Sequence, residues 1–357
     1  MVAEGVQGGR SESPLKGGYS MAATMKDLSR ETGLGLATIS KYFNGGTVRE
    51  KNRVLIEAAV KKLHYVPNEV ARSLKTSHTR VIGVIIPELS NAFITSIISS
   101  MEDILRKQDY AVIVCDCRSD PKREKSAVEF LLHRRVDGLI NMATDTTGAH
   151  LKAPLASGIP VLLVDRLIDS LQGKVSAVVI DNVHAAGQAV QKLTSLGHRQ
   201  IGLILGSPNL YTTNQRLTGY LNALQDAGIA PDNEYIRYGD YTMDGGYQAA
   251  QELLKLKNRP TALFVTNFEM TLGTMLALQH NNIRVPEDLS VIGFDKLELF
   301  GEIFPDLTLI RQPQLSIGRE AANLMLDMLS SKETGVSRIV TLTTELTEGK
   351  SVKALKR

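Results

Sequence analysis

From Val81 onward, nine short apolar runs rich in β-branched residues alternate with longer helical patterns: VIGVIIP, YAVIVCD, DGLINMA, PVLLVD, AVVIDN, IGLILGS, TALFVTN, LSVIGFD and LTLIRQP. Strand, helix, strand at this spacing makes βαβ units, and those make parallel sheets. The runs are continuously apolar, which predicts strands covered by helices on both faces. Their number suits two doubly wound parallel-sheet lobes better than one sheet. Ligands in such sheets sit beyond the carboxyl ends of the strands.

At 357 residues the chain is long enough for two or three compact units. No apolar run reaches the roughly 18 residues of a membrane span, and the first twenty residues lack a secretory block. A cytoplasmic protein without a membrane partner is expected. Cys115 and Cys117 lie two apart in a strand-like run, which fits core filling in a reducing compartment rather than a disulfide framework. The seven histidines are scattered, no Cys/His spacing suggests a metal, and no Walker loop is present. No constellation for an enzyme and no cofactor site emerges.

Charge divides the chain unevenly. Residues 24–80 hold 11 Lys and Arg against 5 Asp and Glu, whereas residues 81–357 hold 28 against 31. A concentrated basic module on a mildly acidic body is the footprint of nucleic-acid binding, and a solvated basic face is the competing reading. Residues 1–20 are rich in Gly and Ser without periodicity and read as a disordered extension. Lys16 to Ser20 before Met21 also matches the translation of a purine-rich ribosome-binding site, so translation starting at Met21 is expected.

Within the basic module, Thr24 with Asp27 has the form of a capping box, setting a first helix with Met25 and Leu28 inward and Gly33 at its end. A second helix spans about residues 35–44, with Ile39 and Phe43 packing inward beside Leu34. Leu36, Ala37, Ser40 and Lys41 then point outward. A third pattern from Val48 to Leu63 places Ile56, Ala59, Val60 and Leu63 on one stripe. Three short helices with a glycine turn between the first two describe a helix-turn-helix, whose second helix enters the major groove; a helical cap on the body is the alternative.

The order of residues separates these readings. A Lys-Asp pair, a Gly turn, Ala37-Thr38-Ile39-Ser40-Lys41 and Asn44-Gly45 follow one another, then Tyr65-Val66-Pro67-Asn68, Ala71-Arg72-Ser73-Leu74, Ile82-Gly83, Asp137-Gly138-Leu139-Ile140, Gly197-His198-Arg199 and Ile292-Gly293-Phe294-Asp295. From Met21 to about Thr347 the chain resembles the lactose and galactose repressor (LacI/GalR) family. The resemblance implies that Leu36, Ala37 and Lys41 meet base edges, that Thr38 and Ser40 bond phosphates, and that Asn44 and Asn68 belong to the DNA-binding set. It makes 65–80 a hinge, with paired Leu74 side chains wedged into the minor groove and Ala71 permitting close approach. A homodimer on a pseudo-palindromic double-stranded operator follows. Three positions depart from the pattern: Gly35 and Arg49 stand where Ser usually caps helices, with Thr47 expected to replace the second cap, and His64 stands where Gly or Asn is usual.

The same resemblance gives the body a periplasmic-binding-protein-like type I fold closing on a small effector, most readily a sugar. Carried over by motif, the contacts are Asn91 and Phe93 in SNAF, Asp165 and Arg166 in VDR, Arg216 in NQRLTGY, Tyr241 in GDY, Asn267 in VTN, Asp295 in GFD and Gln312 in RQP. Carboxylates and amides suit vicinal hydroxyls, guanidinium forks suit neighbouring oxygens, and an aromatic ring stacks on a sugar face. Asn91 is followed by Ala92-Phe93-Ile94 where the family has Pro-Phe-Phe, and Asn267 by Phe268 where Asp is common. The scheme is an extension (1–20), an all-α helix-turn-helix domain (21–64), a hinge (65–80), a two-lobed effector-binding and dimerisation domain (81–347) and a tail (348–357). The tail has no heptad to argue for a tetramer. A sugar-binding protein of a transport system is the competing class, and it would need an export signal and no basic module.

Overall fold

The computed structural model describes residues 23–43, 45–66, 78–295, 307–330 and 337–355. The extension at 1–20, Asn44, Asn68, Ala71 and Leu74 lie outside the described residues. Contacts divide the chain into a unit ending at Ser77 and a unit starting at His78.

The first unit holds three helices, α1 (Met25–Thr32), α2 (Leu36–Phe43) and α3 (Glu50–Leu63). The Thr24 hydroxyl accepts from the Asp27 amide while the Asp27 carboxylate accepts from the Thr24 amide at 2.9 Å, so the capping box is formed. Gly33 ends α1 at φ 68, a left-handed conformation that costs glycine little. Leu28, Ile39 and Ile56 are fully buried where the three helices meet, each contributing roughly 1.5–3 kcal/mol of apolar transfer. Tyr65, the first residue of the expected hinge, is buried in this core 5.3 Å from the Phe43 ring. His64 takes the left-handed conformation at φ 47. The expected cap on α3 is not made: Arg49 is the N-cap and supplies no side-chain bond. Thr47 stands two residues before it, too early in the chain to reach the orphan amides of the first turn.

The second unit contains two six-stranded sheets. The first is ordered β11-β5-β4-β3-β1-β2 and the second β12-β10-β9-β8-β6-β7. Here β1 is Val81–Ile86, β2 Ala111–Asp116, β3 Gly138–Asn141, β4 Val161–Val164, β5 Ser176–Ile180 and β11 Ile339–Leu342. The other sheet has β6 Ile201–Leu205, β7 Ile236–Tyr238, β8 Ala262–Val265, β9 Ser290–Phe294, β10 Thr308–Arg311 and β12 Glu345–Thr347. Every pairing is parallel except β10 with β12. The two lobes therefore repeat one strand order and differ in the last strand, which is parallel to its neighbour in the first sheet and antiparallel in the second.

Eight helices cover these sheets among the described residues: α4 Ala92–Lys107, α5 Pro121–His133, α6 Lys152–Ala156, α7 Asn182–Ser195, α8 Tyr211–Asp226, α9 Met243–Leu254, α10 Phe268–His280 and α11 Gln314–Ser330. Strands β1, β3, β4, β5, β6, β8, β9 and β10 are largely buried along their length. The expectation of nine doubly covered strands fails in two ways. Edge strand β2 is half exposed. Three further strands, β7, β11 and β12, pair at sheet margins and are half exposed too.

The chain passes between lobes after β5, after β10, and between β11 and β12. Three crossings make a hinge region rather than a single tether. Strand carboxyl ends from both sheets border the cleft.

Candidate functional site

A cavity of about 590 Å³ opens at those carboxyl ends, lined from both lobes. All nine side chains expected at an effector site line it. Asn91, Phe93, Asp165 and Arg166 come from the first lobe, Arg216, Tyr241, Asn267 and Asp295 from the second, and Gln312 follows β10 where the chain leaves the second sheet. Phe93 is also part of the apolar core. The ninefold convergence comes from topology, because each residue but Arg216 lies within a turn or two of a strand end.

The two aspartates occupy equivalent places. Asp165 follows β4 and Asp295 follows β9, both at φ 69. Non-glycine residues with such angles concentrate at functional sites, where surrounding structure holds the strain. Burial pushes the Asp295 carboxyl up to about 7, with Arg216 and a bond from Gln312 opposing and the charges of Glu269 and Asp165 adding. The Gln312 amide donates to Asp295 at 2.7 Å, and its own Oε1 is buried with no hydrogen-bond partner among the described residues.

Asn91 and Asn267 do local work first. Asn91 Oδ1 accepts the Ile94 amide at 3.1 Å and Asn267 Oδ1 accepts the Met270 amide at 3.0 Å, capping α4 and α10. Each amide nitrogen then donates to Glu269, from Asn91 at 2.9 Å and from Asn267 at 2.6 Å. Glu269 was not anticipated from sequence. The available signal was its place in the first turn of a helix that begins at a strand end, two residues beyond Asn267.

Arg216 is 3% exposed. Its Nε donates to Asn182 Oδ1 at 2.8 Å, its Nη1 donates to the Thr266 carbonyl, and its guanidinium lies 3.9 Å from the centre of the Phe294 ring. Arg166 donates to the Ala143 carbonyl at 3.0 Å, pairs with Asp165 at 3.4 Å and faces the Tyr241 ring at 5.7 Å. The Tyr241 hydroxyl bonds Thr212 and Thr213, each at 2.8 Å. That ring fits only because position 206 is glycine: a Cβ there would meet it at 2.0 Å.

Behind the first-lobe wall, Glu124 accepts the Thr144 and Asp145 amides, and buried His150 lies between Glu124 and Asp145. Burial pulls the His150 imidazole down and the two carboxylates pull it up, with a net rise. Among the described residues no cluster of His, Cys, Asp and Glu could hold a metal ion, and no helix is long and apolar enough to cross a membrane.

In the helical unit, Leu36, Ala37 and Lys41 are exposed on α2, whereas Thr38 and Ser40 are half-buried. The outward face combines a cation able to reach guanine O6 and N7 with two apolar side chains suited to thymine methyls.

A basic three-helix module with Leu36, Ala37 and Lys41 exposed on its second helix, joined in one chain to a two-lobed body around a cavity lined by charged and amide side chains, defines the class of ligand-responsive DNA-binding regulators. The profile described as "Periplasmic binding proteins and sugar binding domain of LacI family" matches residues 79–350. The HTH-type transcriptional repressor CytR of Escherichia coli (strain K12) is 33% identical over 88% of this chain and 92% of its own. The structure of the Lac repressor dimer bound to operator and the anti-inducer ONPF superposes with a TM-score of 0.82 at 26% identity, over 93% of this chain and 99% of that one. The complex of the transcriptional regulator CelR with cellobiose superposes at 0.69 and 28% identity, over 92% and 99%. The chain belongs to the LacI family of transcriptional regulators.

Proposed function

We propose that the protein is a dimeric repressor that binds a pseudo-palindromic operator through α2 of each protomer and changes its operator affinity when a small ligand, most readily a sugar, occupies the cavity between the lobes. The convergence of nine motif-derived side chains on one cavity carries this reading. Sugar occupancy is supported by the cellobiose bound by CelR, and the dimer by the operator-bound Lac repressor. Two-fold symmetry sets half-sites about one helical turn apart. Leu36, Ala37 and Lys41 read base edges, Thr38, Ser40 and Asn44 hold phosphates and register, and Asn68, Ala71 and Leu74 act at the centre of the site.

Selection of bound duplexes from a random pool by the full chain at physiological salt, repeated with pentoses, hexoses and purines, tests the proposal. Recovery of a palindrome with a deformable central step, bound differently with one of those ligands, is the expected result. Weak salt-sensitive binding with no consensus in any condition would refute it.

A further inference from the structure

The cavity takes up the strand carboxyl ends of the first sheet. At the amino ends lie the segments that enter β1, β2 and β3, residues 78–80, 106–110 and 133–137. These segments hold five Lys and Arg against two Asp, whereas the rest of residues 78–357 holds 24 against 29. A mildly acidic body therefore carries one basic end.

Hydrogen bonds tie the three segments into one surface. β1 pairs with β2 on one side and with β3 on the other, so neighbouring strand starts stand about 4.8 Å apart. Arg80 Nη1 donates to the Gln108 carbonyl at 3.0 Å, its guanidinium faces the Tyr110 ring at 5.1 Å, and the Thr79 hydroxyl donates to the Arg135 carbonyl at 2.8 Å. Of the two carboxylates, Asp137 is already engaged: it accepts the Thr79 amide at 2.8 Å and the Arg80 amide at 2.9 Å, and its side chain is 4% exposed. Arg106 pairs with Glu102. Lys107, Arg134 and Arg135 are exposed and form no ion pair among the described residues. Arg134 lies over the Phe130 ring at 5.1 Å, a contact that uses none of its N–H donors. Like charges held together in this way oppose the folded state until a counter-charge arrives.

Two observations select the counter-charge. The chain enters the body at this end, since His78 directly follows Ser77, the last residue of the basic helical unit. The joining residues 67–77 bring Arg72 and Lys75 against Glu69, so the chain's own connection adds to the positive charge. We propose that the amino end of the first sheet is a second DNA surface, at which Lys107, Arg134 and Arg135 neutralise backbone phosphates of the duplex beside the stretch read by α2. The proposal rests on the DNA-binding reading of the helical unit. Its contribution is independent of sequence, because cations on phosphates position a protein without reading bases. Duplex DNA carries a charge about every 1.7 Å of its axis, so a row of cations meets phosphates in any register.

The salt dependence of binding to mixed-sequence duplex DNA tests this, with the full chain followed by fluorescence anisotropy between about 50 and 200 mM salt and without effector. Two triple variants remove equal charge. Lys107→Gln, Arg134→Gln and Arg135→Gln together strip the amino end, and Lys122→Gln, Arg123→Gln and Lys125→Gln strip exposed positions at the start of α5, the opposite end of the helix that leads to Arg134. Each phosphate contact contributes about 0.9 to the slope of log affinity against log salt, so the first triple should make the slope shallower by about 2–3. The second should keep the parent's slope. Lys107→Gln alone should remove about 0.9, which keeps the test decisive where the triple variant does not fold. An unchanged slope in the amino-end variants, or an equal loss in both triples, would overturn the surface and leave DNA binding to the helical unit. A parent chain without salt-dependent binding would overturn the surface and the DNA-binding reading together.

Discussion

Asp295 shows how one residue couples the cavity to pH. A carboxyl whose ordinary value is 3.8 and whose folded value is about 7 binds its proton more tightly in the folded chain. Folding therefore takes up a proton between those values, so the contribution of this group to stability falls as pH rises across that window and levels off above about 7. Asp295→Asn should flatten the decline, which thermal melting between pH 4 and pH 8 would reveal. A donor ligand prefers the ionised carboxylate, so effector affinity should rise with pH through about 7 in the parent and lose that rise in Asp295→Asn, as titration calorimetry would record. Gly206 makes a steric prediction at the same scale. Gly206→Ala puts a methyl 2.0 Å from the Tyr241 ring and must displace it from Thr212 and Thr213. A loss of about 1–3 kcal/mol in stability and a weaker effector isotherm should follow, and an unmoved isotherm would take Tyr241 out of the binding wall.

Among the elements, α3 carries a defect that can be repaired. Its N-cap backbone at Arg49 has the extended conformation of a capped helix, φ −62 and ψ 140, without a side-chain acceptor for the first-turn amides. Arg49→Ser should raise the stability of the helical unit by about 1 kcal/mol, measured as an upward shift of its thermal transition in the full chain; no shift would mean that solvent already satisfies those amides. Much of this architecture was legible in sequence, since continuous apolar runs mark strands buried on both faces and the Thr24 and Asp27 pair marks the start of α1. The elements that escaped are those whose environment is mixed. Strand β7 has three residues at a sheet margin, β11 alternates exposed and half-buried positions, and β12 is held by pairing with β10 rather than by its own apolar content. Glu269 escaped for a related reason: its importance comes from Asn91, which is 178 residues away in sequence. Motif spacing located the strand-end residues, and only the fold put two lobes around one carboxylate.

At the scale of the whole molecule, the cavity sits where the chain crosses between lobes, and Arg216 ties the start of α7, just past the first crossing, to strand ends of the second lobe. Its Nε holds Asn182, the first residue of α7 after the β5 crossing, while its Nη1 and ring face hold Thr266 and Phe294 at the ends of β8 and β9. A ligand contacting this network alters the group that fixes the second lobe against the crossing. Ligand can change operator affinity only by its differential affinity for the two lobe arrangements, and linkage makes the effect reciprocal. Operator should therefore change effector affinity by the same factor that effector changes operator affinity, about 5- to 150-fold. Arg216→Lys keeps the positive charge and loses the fork that reaches Asn182 and Thr266 together. Measured by fluorescence anisotropy on an operator duplex with and without effector, this variant should retain salt-dependent non-specific binding, because the basic helical unit is untouched. Its coupling factor should fall toward one. Full coupling in Arg216→Lys would place the transmission elsewhere, with the bond between Asn91 and Glu269 and the approach of Arg166 to the Tyr241 ring as contacts across the cleft through which a ligand at this site could act.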